Sequence, residues 1–320
     1  MEEVNQHTRI LMIYQRLKIG EKLVKYKLVN EFNVSEKTLQ RDFSEIKKFI
    51  AYMDLEEELV YNRADNYHYL KQEKPTYFSA EEILLLAKIL LEARALPKNE
   101  VEQLVTKLLG LIPAEKSQQI KKIIRNEKFH YEELKQSKSV QNMLWQLANA
   151  IHTKTEIHIH YKKEYDTQPK VHKLQPVGVI FSDYYFYLIA FKEQMTYPIV
   201  FRLDRITECK LLAKKFKINE ANRFKEGEFR KRVQFMYTGE LLSIEFYFNG
   251  ASLQAVLDRL PTAEVIGFDE EKGSLIRAEV YGTGIQMWLL SQGNAVEVMK
   301  PLRFREQMKE KLQKMLERYK

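Results

Sequence analysis

VSEKTLQRDFSEIKKFI, residues 34–50, reads as one amphipathic helix with two distinct faces. At about 100° per residue, Leu39, Phe43, Ile46 and Ile50 fall on a single apolar stripe, and Lys37, Arg41, Ser44 and Lys48 fall opposite it. Ser35 stands where an N-cap is wanted, its hydroxyl placed to accept from a free first-turn N–H. Upstream, Ile10, Ile13, Tyr14 and Leu17 keep helical spacing until Gly20, and Leu28, Val29 and Phe32 mark a second helix that stops at Asn33-Val34. Three helices with a tight turn before the third make a helix-turn-helix. ELVYNR (58–63) and NYHYLK (66–71) then read as a hairpin, with Asp65 and Asn66 suited to its turn. A hairpin directly after a helix-turn-helix is a wing, so residues 1–74 are expected to be a winged helix-turn-helix domain.

Such a third helix packs one face on its own domain and offers donors from the other to the major groove of duplex DNA. Lys37, Arg41 and Lys48 suit phosphates or guanine edges, Thr38 and Gln40 flank them as base readers, and Ser35, Ser44 and Arg63 complete the candidate surface. Residues 1–74 carry 13 basic and 13 acidic side chains, but residues 9–48 carry 10 basic against 5 acidic, so the positive charge is local. That asymmetry fits one DNA-facing side better than general coating of a polyanion.

The chain of 320 residues is too long for one ordinary core, and its net charge of +8 is compatible with a polyanionic partner without demanding one. Its one cysteine, Cys209, excludes an intrachain disulfide and multi-cysteine metal sites. The N-terminus lacks the basic-then-apolar order of a signal peptide, and no apolar run approaches the roughly 18 residues of a membrane span. A cytoplasmic protein with no membrane partner is expected.

From Ser79 the period is helical, with Ser79 and Glu82 in a capping-box pattern and Pro97 and Pro113 as punctuation, so residues 75–138 are expected to be a helical linker. After a further helix near SVQNMLWQLANAIHT the period becomes two. TEIHIHYKK (155–163) places Ile157, Ile159 and Tyr161 on one side and His158 and His160 on the other. Several short strands follow, which suggests a small barrel or strongly bent sheet over residues 139–225. Residues 235–320 run strand, helix, strands, helix, a small α+β domain.

In SDYYFYLIAF (182–191), Tyr185, Tyr187 and Ile189 share a strand face, and VFRLDRI (200–206) puts Arg202 and Asp204 on one face if the strand stays regular. Guanidinium groups beside aromatic rings can hold a phosphate and stack on a flat base. Core aromatics with a structural Arg–Asp pair would read the same way. His158 and His160 could share a metal, but no third ligand is evident and neither metal nor cofactor is expected. No GxSxG, HExxH, P-loop or GxGxxG is present, which leaves no indicated catalytic residue.

Together these motifs resemble the bacterial WYL-domain transcriptional regulators. The helix-turn-helix VSEKTLQRDFSEI is similar to that family's recognition segment, and Phe186-Tyr187-Leu188 stands where the family has Trp-Tyr-Leu. FRLDRI (201–206), IHYKK with Pro176, and WLLSQGNAVEVMKP (288–301) resemble further family motifs, the last in the C-terminal WCX extension. Phe186 keeps an apolar ring but lacks the indole N–H. The resemblance implies an Sm-like, SH3-like β-barrel that senses a nucleotide or single-stranded nucleic acid and shifts binding of a DNA operator; a homodimer is expected from the two-fold geometry usual for such DNA readers. The resemblance carries the sensor role to Tyr161, Tyr187, Arg202 and Arg205, with Asp204, His172 and Lys173 nearby. The readings from other classes are a nucleotide-processing enzyme and a single-stranded nucleic-acid module without an operator.

Overall fold

The structure is a computed structural model that describes residues 4–72, 78–135, 137–193, 195, 197–217 and 225–320. It forms two compact units, residues 1–137 and 138–320. Mixed α+β structure with three sheets runs through the described residues, and none of their helices is long and apolar enough to cross a membrane.

The first unit opens with α1 (Gln6–Lys18), α2 (Lys25–Phe32) and α3 (Glu36–Tyr52), then the antiparallel hairpin of β1 (Glu57–Asn62) and β2 (Tyr67–Gln72). Asn33, in the left-handed region at φ 51°, closes α2, and Ser35 starts α3 by accepting from the Thr38 N–H at 3.1 Å. Leu39, Phe43, Ile46 and Ile50 are buried on Ile13, Leu17, Leu28 and the hairpin residues Leu59 and Leu70. Leu23 joins the hairpin by a two-way backbone bridge to His68, at 2.9 and 2.8 Å. The hairpin is thereby tied to the start of α2.

A charge lies inside this apolar packing. Asp42, on the buried side of α3, is fully enclosed and accepts from Arg9 Nε at 2.6 Å and Nη2 at 3.2 Å, which locks α1 to α3. His68 is stacked on Phe43, with ring centroids 3.9 Å apart, and its Nδ1 is buried with no hydrogen-bond partner among the described residues. Burial, then the charges of Lys25 and Lys47, push its imidazole down to about 4. The helices α4 (Ala80–Ala93), α5 (Lys98–Leu109), α6 (Ala114–Ile123) and α7 (Arg125–Phe129) complete the unit around Ile83, Ala87, Val101, Val105 and Ile120. Ser79 and Glu82 form a full capping box at α4.

In the second unit, α8 (Gln141–His152) packs on a five-stranded antiparallel sheet of β3 (Thr155–Tyr161), β4 (Lys170–Ser182), β5 (Tyr185–Phe191), β6 (Ile199–Arg202) and β7 (Ile206–Lys215), in the order β6-β5-β4-β3-β7. The outer strands β6 and β7 are consecutive in the chain, joined only by a 3-10 turn, Leu203–Arg205. Laid flat, five strands would hold their edges about 19 Å apart. The four residue steps from Arg202 to Ile206 span at most about 14 Å. The sheet must therefore curl. Tyr161 on β3 meets Arg202 on β6, its hydroxyl accepting the Arg202 backbone N–H at 3.4 Å, although two strands intervene in the sheet order.

This turn also departs from the regular strand expected through residues 200–206. Leu203 is buried, and the 3-10 turn around it removes Asp204 from the strand, so Arg202 and Asp204 meet across a bend. Next comes α9 (Glu226–Arg232), which has no counterpart in the sequence reading because seven residues are too few to show a period. The remainder is β8 (Leu241–Phe248), α10 (Leu253–Arg259), β9 (Glu264–Asp269), β10 (Gly273–Tyr281), α11 (Ile285–Ser291), β11 (Val296–Lys300) and α12 (Leu302–Glu317). Its antiparallel sheet has the order β11-β8-β10-β9, the ferredoxin-like arrangement of a β-α-β-β-α-β chain.

Two outcomes follow for the first unit. Arg9→Ala leaves the Asp42 carboxylate enclosed without its partner and should cost about 3–5 kcal/mol in denaturant unfolding; a loss below about 1 kcal/mol would mean that water reaches Asp42. His68 has a folded pKa below its unfolded value of about 6.5, so the unfolded chain binds more protons between those values. Its contribution is complete above about pH 6.5 and is lost as pH falls toward 4, on the order of 3 kcal/mol. His68→Phe should flatten that slope in a pH series of unfolding curves.

Candidate functional site

Two surfaces gather the chemically capable side chains, one in each unit. On α3, Lys37, Arg41, Ser44 and Lys48 recur at helical spacing on the side away from the core, and Gln40 lies beside them. All five are exposed. Lys37 and Arg41 form no ion pair among the described residues, while Lys48 donates to Glu45 at 2.8 Å. Ser35 and Thr38 are occupied with each other, their hydroxyls 2.8 Å apart at the cap. Arg63 is exposed in the hairpin turn, where the Asn62 carboxamide accepts from the N–H groups of Ala64 and Asp65 at 2.9 and 3.3 Å. The unpaired donors on α3 can meet a polyanion without first breaking a salt bridge.

The second surface is the outer face of β5 and β6. The ladder sets Tyr187 opposite Arg202, and the Arg202 guanidinium lies 3.4 Å from the centre of the Tyr185 ring. Asp204 accepts from the same guanidinium twice, at 3.1 and 2.6 Å. Burial works against the Arg202 charge, but the bonds to Asp204 together with the negative charge of its carboxylate outweigh it and hold the pKa above the ordinary arginine value. The Tyr187 phenol is pushed up to about 12, first by burial and then by nearby anionic groups, against the opposing charge of Arg202. It stays a neutral donor at physiological pH. Tyr185, two residues before Tyr187 on the same face, is the member that the sequence assignment of ligand residues left out; its signal was that shared face.

The other expected sensor residues divide. Tyr161 is 6% exposed and turns its ring edge to Phe201, centroids 5.0 Å apart, so it reaches Arg202 only through the backbone bond. His172 lies 5.1 Å from Phe201, and burial followed by Lys192, Lys163 and Lys170 lowers its pKa. Lys173 faces elsewhere: it pairs at 3.3 Å with Glu156, which also takes Lys214 at 3.3 Å and Gln175 at 3.1 Å. Burial would raise the Glu156 pKa, but the three donors keep it low. Arg205 pairs with Glu164 at 3.5 Å. Thus Tyr185, Tyr187, Arg202 and Asp204 meet, Tyr161 and His172 form an aromatic group with Phe201, and Lys173 and Arg205 each serve a separate carboxylate. His158 and His160 lie on β3, His160 being 3.5 Å from Glu208.

The β5–β6 face has a further neighbour. Ile180, Ile189, Val200 and Tyr187 pack with Phe229 and Val233 of the α9 segment, Met236 and Tyr281 of β10. Phe229 stacks on Tyr281 with centroids 5.6 Å apart, and Arg232 joins Glu228 on α9 to Glu279 on β10. One continuous face therefore carries the Tyr185–Arg202 pair at one end and the C-terminal domain at the other.

Residues 142–211 match the family model of the WYL domain, and residues 240–316 match that of the WCX domain. No curated protein matches the chain. Among solved structures, the chain is similar to Proteasome accessory factor B/C (PafBC) of Arthrobacter aurescens, with 16% identity over 96% of this chain and 48% of that one and a TM-score of 0.30. It thus spans about half the length of that protein. A second similar structure, a CRISPR Cas-related protein, is 10% identical over 77% of this chain and 75% of that one, with a TM-score of 0.35.

Cys209 supplies a direct probe of the β3–β7 ladder. Burial pushes its thiol up to about 11, so the thiolate fraction at pH 8 should be about a hundredfold below that of an exposed cysteine. Labelling with a thiol reagent should be correspondingly slow in the folded protein and should reach ordinary rates in denaturant. Rapid labelling of the folded chain would show that this ladder opens readily.

Proposed function

We propose that the chain is a cytoplasmic DNA-binding transcription regulator whose WYL domain senses a ligand. In this reading α1 to α3 and the β1–β2 hairpin act as a winged helix-turn-helix, with α3 the recognition helix and Arg63 on the wing. The observation that carries the reading is the division of α3: Leu39, Phe43, Ile46 and Ile50 are buried, and Lys37, Gln40, Arg41 and Ser44 are exposed. A helix in the major groove requires that division. The WYL and WCX matches in the same chain supply the sensory half of the reading. A homodimer would place two recognition helices on half-sites about 34–36 Å apart, or a multiple of that.

The curled sheet would work as an Sm-like barrel, with a nucleotide or short single strand at Tyr185, Tyr187, Arg202 and Asp204. A base can replace the guanidinium on the Tyr185 ring, which frees Arg202 for a phosphate. Because Tyr187 shares its face with Phe229 and Tyr281, that exchange would favour one packing of α9 and the C-terminal domain over another. Ligand output is then a population shift, without turnover.

Two measurements test this reading. In a duplex-DNA shift assay with a genomically footprinted operator, Arg41→Ala should cost roughly 1–3 kcal/mol if Arg41 reads a base, and Lys37→Ala should lower the salt slope by about one. Unchanged affinity in both variants would remove α3 from the interface. For the sensor, calorimetry with short single-stranded DNA should show binding that Tyr185→Ala and Arg202→Ala each weaken at least tenfold, with basal operator affinity retained. Because Asp204 already neutralises Arg202, this binding should depend on salt less steeply than operator binding. Unchanged ligand binding in both folded variants would leave the aromatic–arginine cluster a structural feature only.

A further inference from the structure

We infer that the helical part of the first unit holds a separate binding site for a small organic anion with an apolar body. A cleft of about 430 Å³ lies between α5 and the α6–α7 pair, within the range of small-molecule pockets. Its floor is apolar: Val105, Leu109 and Ile124 line it and are themselves at most 4% exposed. Its rim is cationic. Lys98, Lys121, Arg125 and Lys128 line the cleft against one carboxylate, Glu102.

The rim cations converge with few protein partners. Lys121 at the end of α6 and Arg125 and Lys128 on α7 follow i, i+4, i+7 spacing across the break at Ile124, which brings three like charges to one rim. None of the three forms an ion pair among the described residues, although Glu127, beside them in sequence, is paired with Lys88. Lys98 is used structurally, its Nζ donating to the Phe129 carbonyl at 3.1 Å and so tying α5 to the end of α7. The Phe129 ring, 74% exposed, also lines the cleft and adds apolar surface where a ligand would enter.

The two halves of the cleft select one class of ligand. A bare phosphate would meet the cations but leave the apolar floor wet. A neutral hydrophobe would cover the floor but leave three like charges facing one another. An alkyl or aryl phosphate or carboxylate satisfies both at once. A nucleic-acid backbone would use the rim alone, so it is the weaker fit. This site owes nothing to the WYL surface and would give the first unit an input of its own.

The full chain should be titrated calorimetrically with octyl phosphate below its micelle concentration, beside inorganic phosphate and neutral octyl glucoside. One saturable site is expected, with octyl phosphate at least tenfold tighter than either control. Arg125→Gln/Lys128→Gln, the first exposed and the second half-buried at the rim, should weaken octyl phosphate at least tenfold while circular dichroism and unfolding midpoint stay unchanged. Lys121→Gln provides a second, milder variant expected to lose affinity in the same direction. The proposal is overturned if octyl phosphate fails to saturate, if inorganic phosphate or octyl glucoside equals it, or if the double variant binds it as the parent does. It is also overturned if the double variant loses duplex-DNA affinity and keeps octyl phosphate, since the rim would then be a phosphate-backbone contact.

Discussion

The arrangement of the second unit depends on the shortness of the link between β6 and β7. A three-residue 3-10 turn joins strands at opposite edges of a five-stranded order, so the sheet curls whatever else its side chains do. The curl brings Tyr161 against the Arg202 backbone and packs Tyr161, Phe201 and His172 together. The same turn places Asp204 against the Arg202 guanidinium, which lies 3.4 Å from the centre of the Tyr185 ring. Interior and exterior chemistry of this domain thus share one local cause, the burial of Leu203 in the middle of FRLDRI.

Much of this was legible from periodicity. The α3 stripe, the Ser35 cap, the Ser79–Glu82 box and the alternation of Ile157, Ile159 and Tyr161 each follow from residue type and spacing, and local rules of that kind survive folding. What escaped is non-local. Asp42 sits on the buried side of α3, and nothing beside it in sequence says that Arg9, 33 residues earlier, encloses it. Likewise Lys173 and Arg205 look like free cations in the sequence, and only the folded chain, through the β3–β4 pairing and the turn after β6, shows Glu156 and Glu164 as their partners. The break at Leu203 was hidden because a buried leucine fits a strand and a 3-10 turn equally well. Tyr185 could have been found, since the two-residue period of β5 already placed it beside Tyr187.

Charge pairing separates the two nucleic-acid readings physically. On α3 the exposed Lys37 and Arg41 have no ion-pair partner among the described residues, so their field extends into solvent and can attract a polyanion before contact. On the β5–β6 face the principal cation is matched by Asp204 at hydrogen-bond distance, and Arg205, in the turn after β6, has a carboxylate of its own. A ligand there would gain little from net charge. It must offer a better partner for the Tyr185 ring or for the guanidinium edge than the protein already supplies. Under the proposed sensor role, recognition on that face would therefore rest on shape, stacking and exchange of hydrogen bonds.

Such an exchange has somewhere to go. Tyr187 lies between the Arg202 pairing and the packing of Ile189 with Phe229, Met236 and Tyr281, so any shift of its ring is felt by both groups. On the far side, α9 is held by charge as well as by packing, since Arg232 bridges Glu228 and Glu279. Phe229 enters a closely packed apolar group while Arg232 remains partly exposed. Packed apolar groups tend to switch between discrete arrangements, whereas exposed ion pairs re-form at little cost. A short helix seated by one aromatic ring and a part-buried salt-bridge bracket is therefore the element that would have to change its seating, with the sheet beneath it intact, if a ligand on the β5–β6 face is to act on the C-terminal domain.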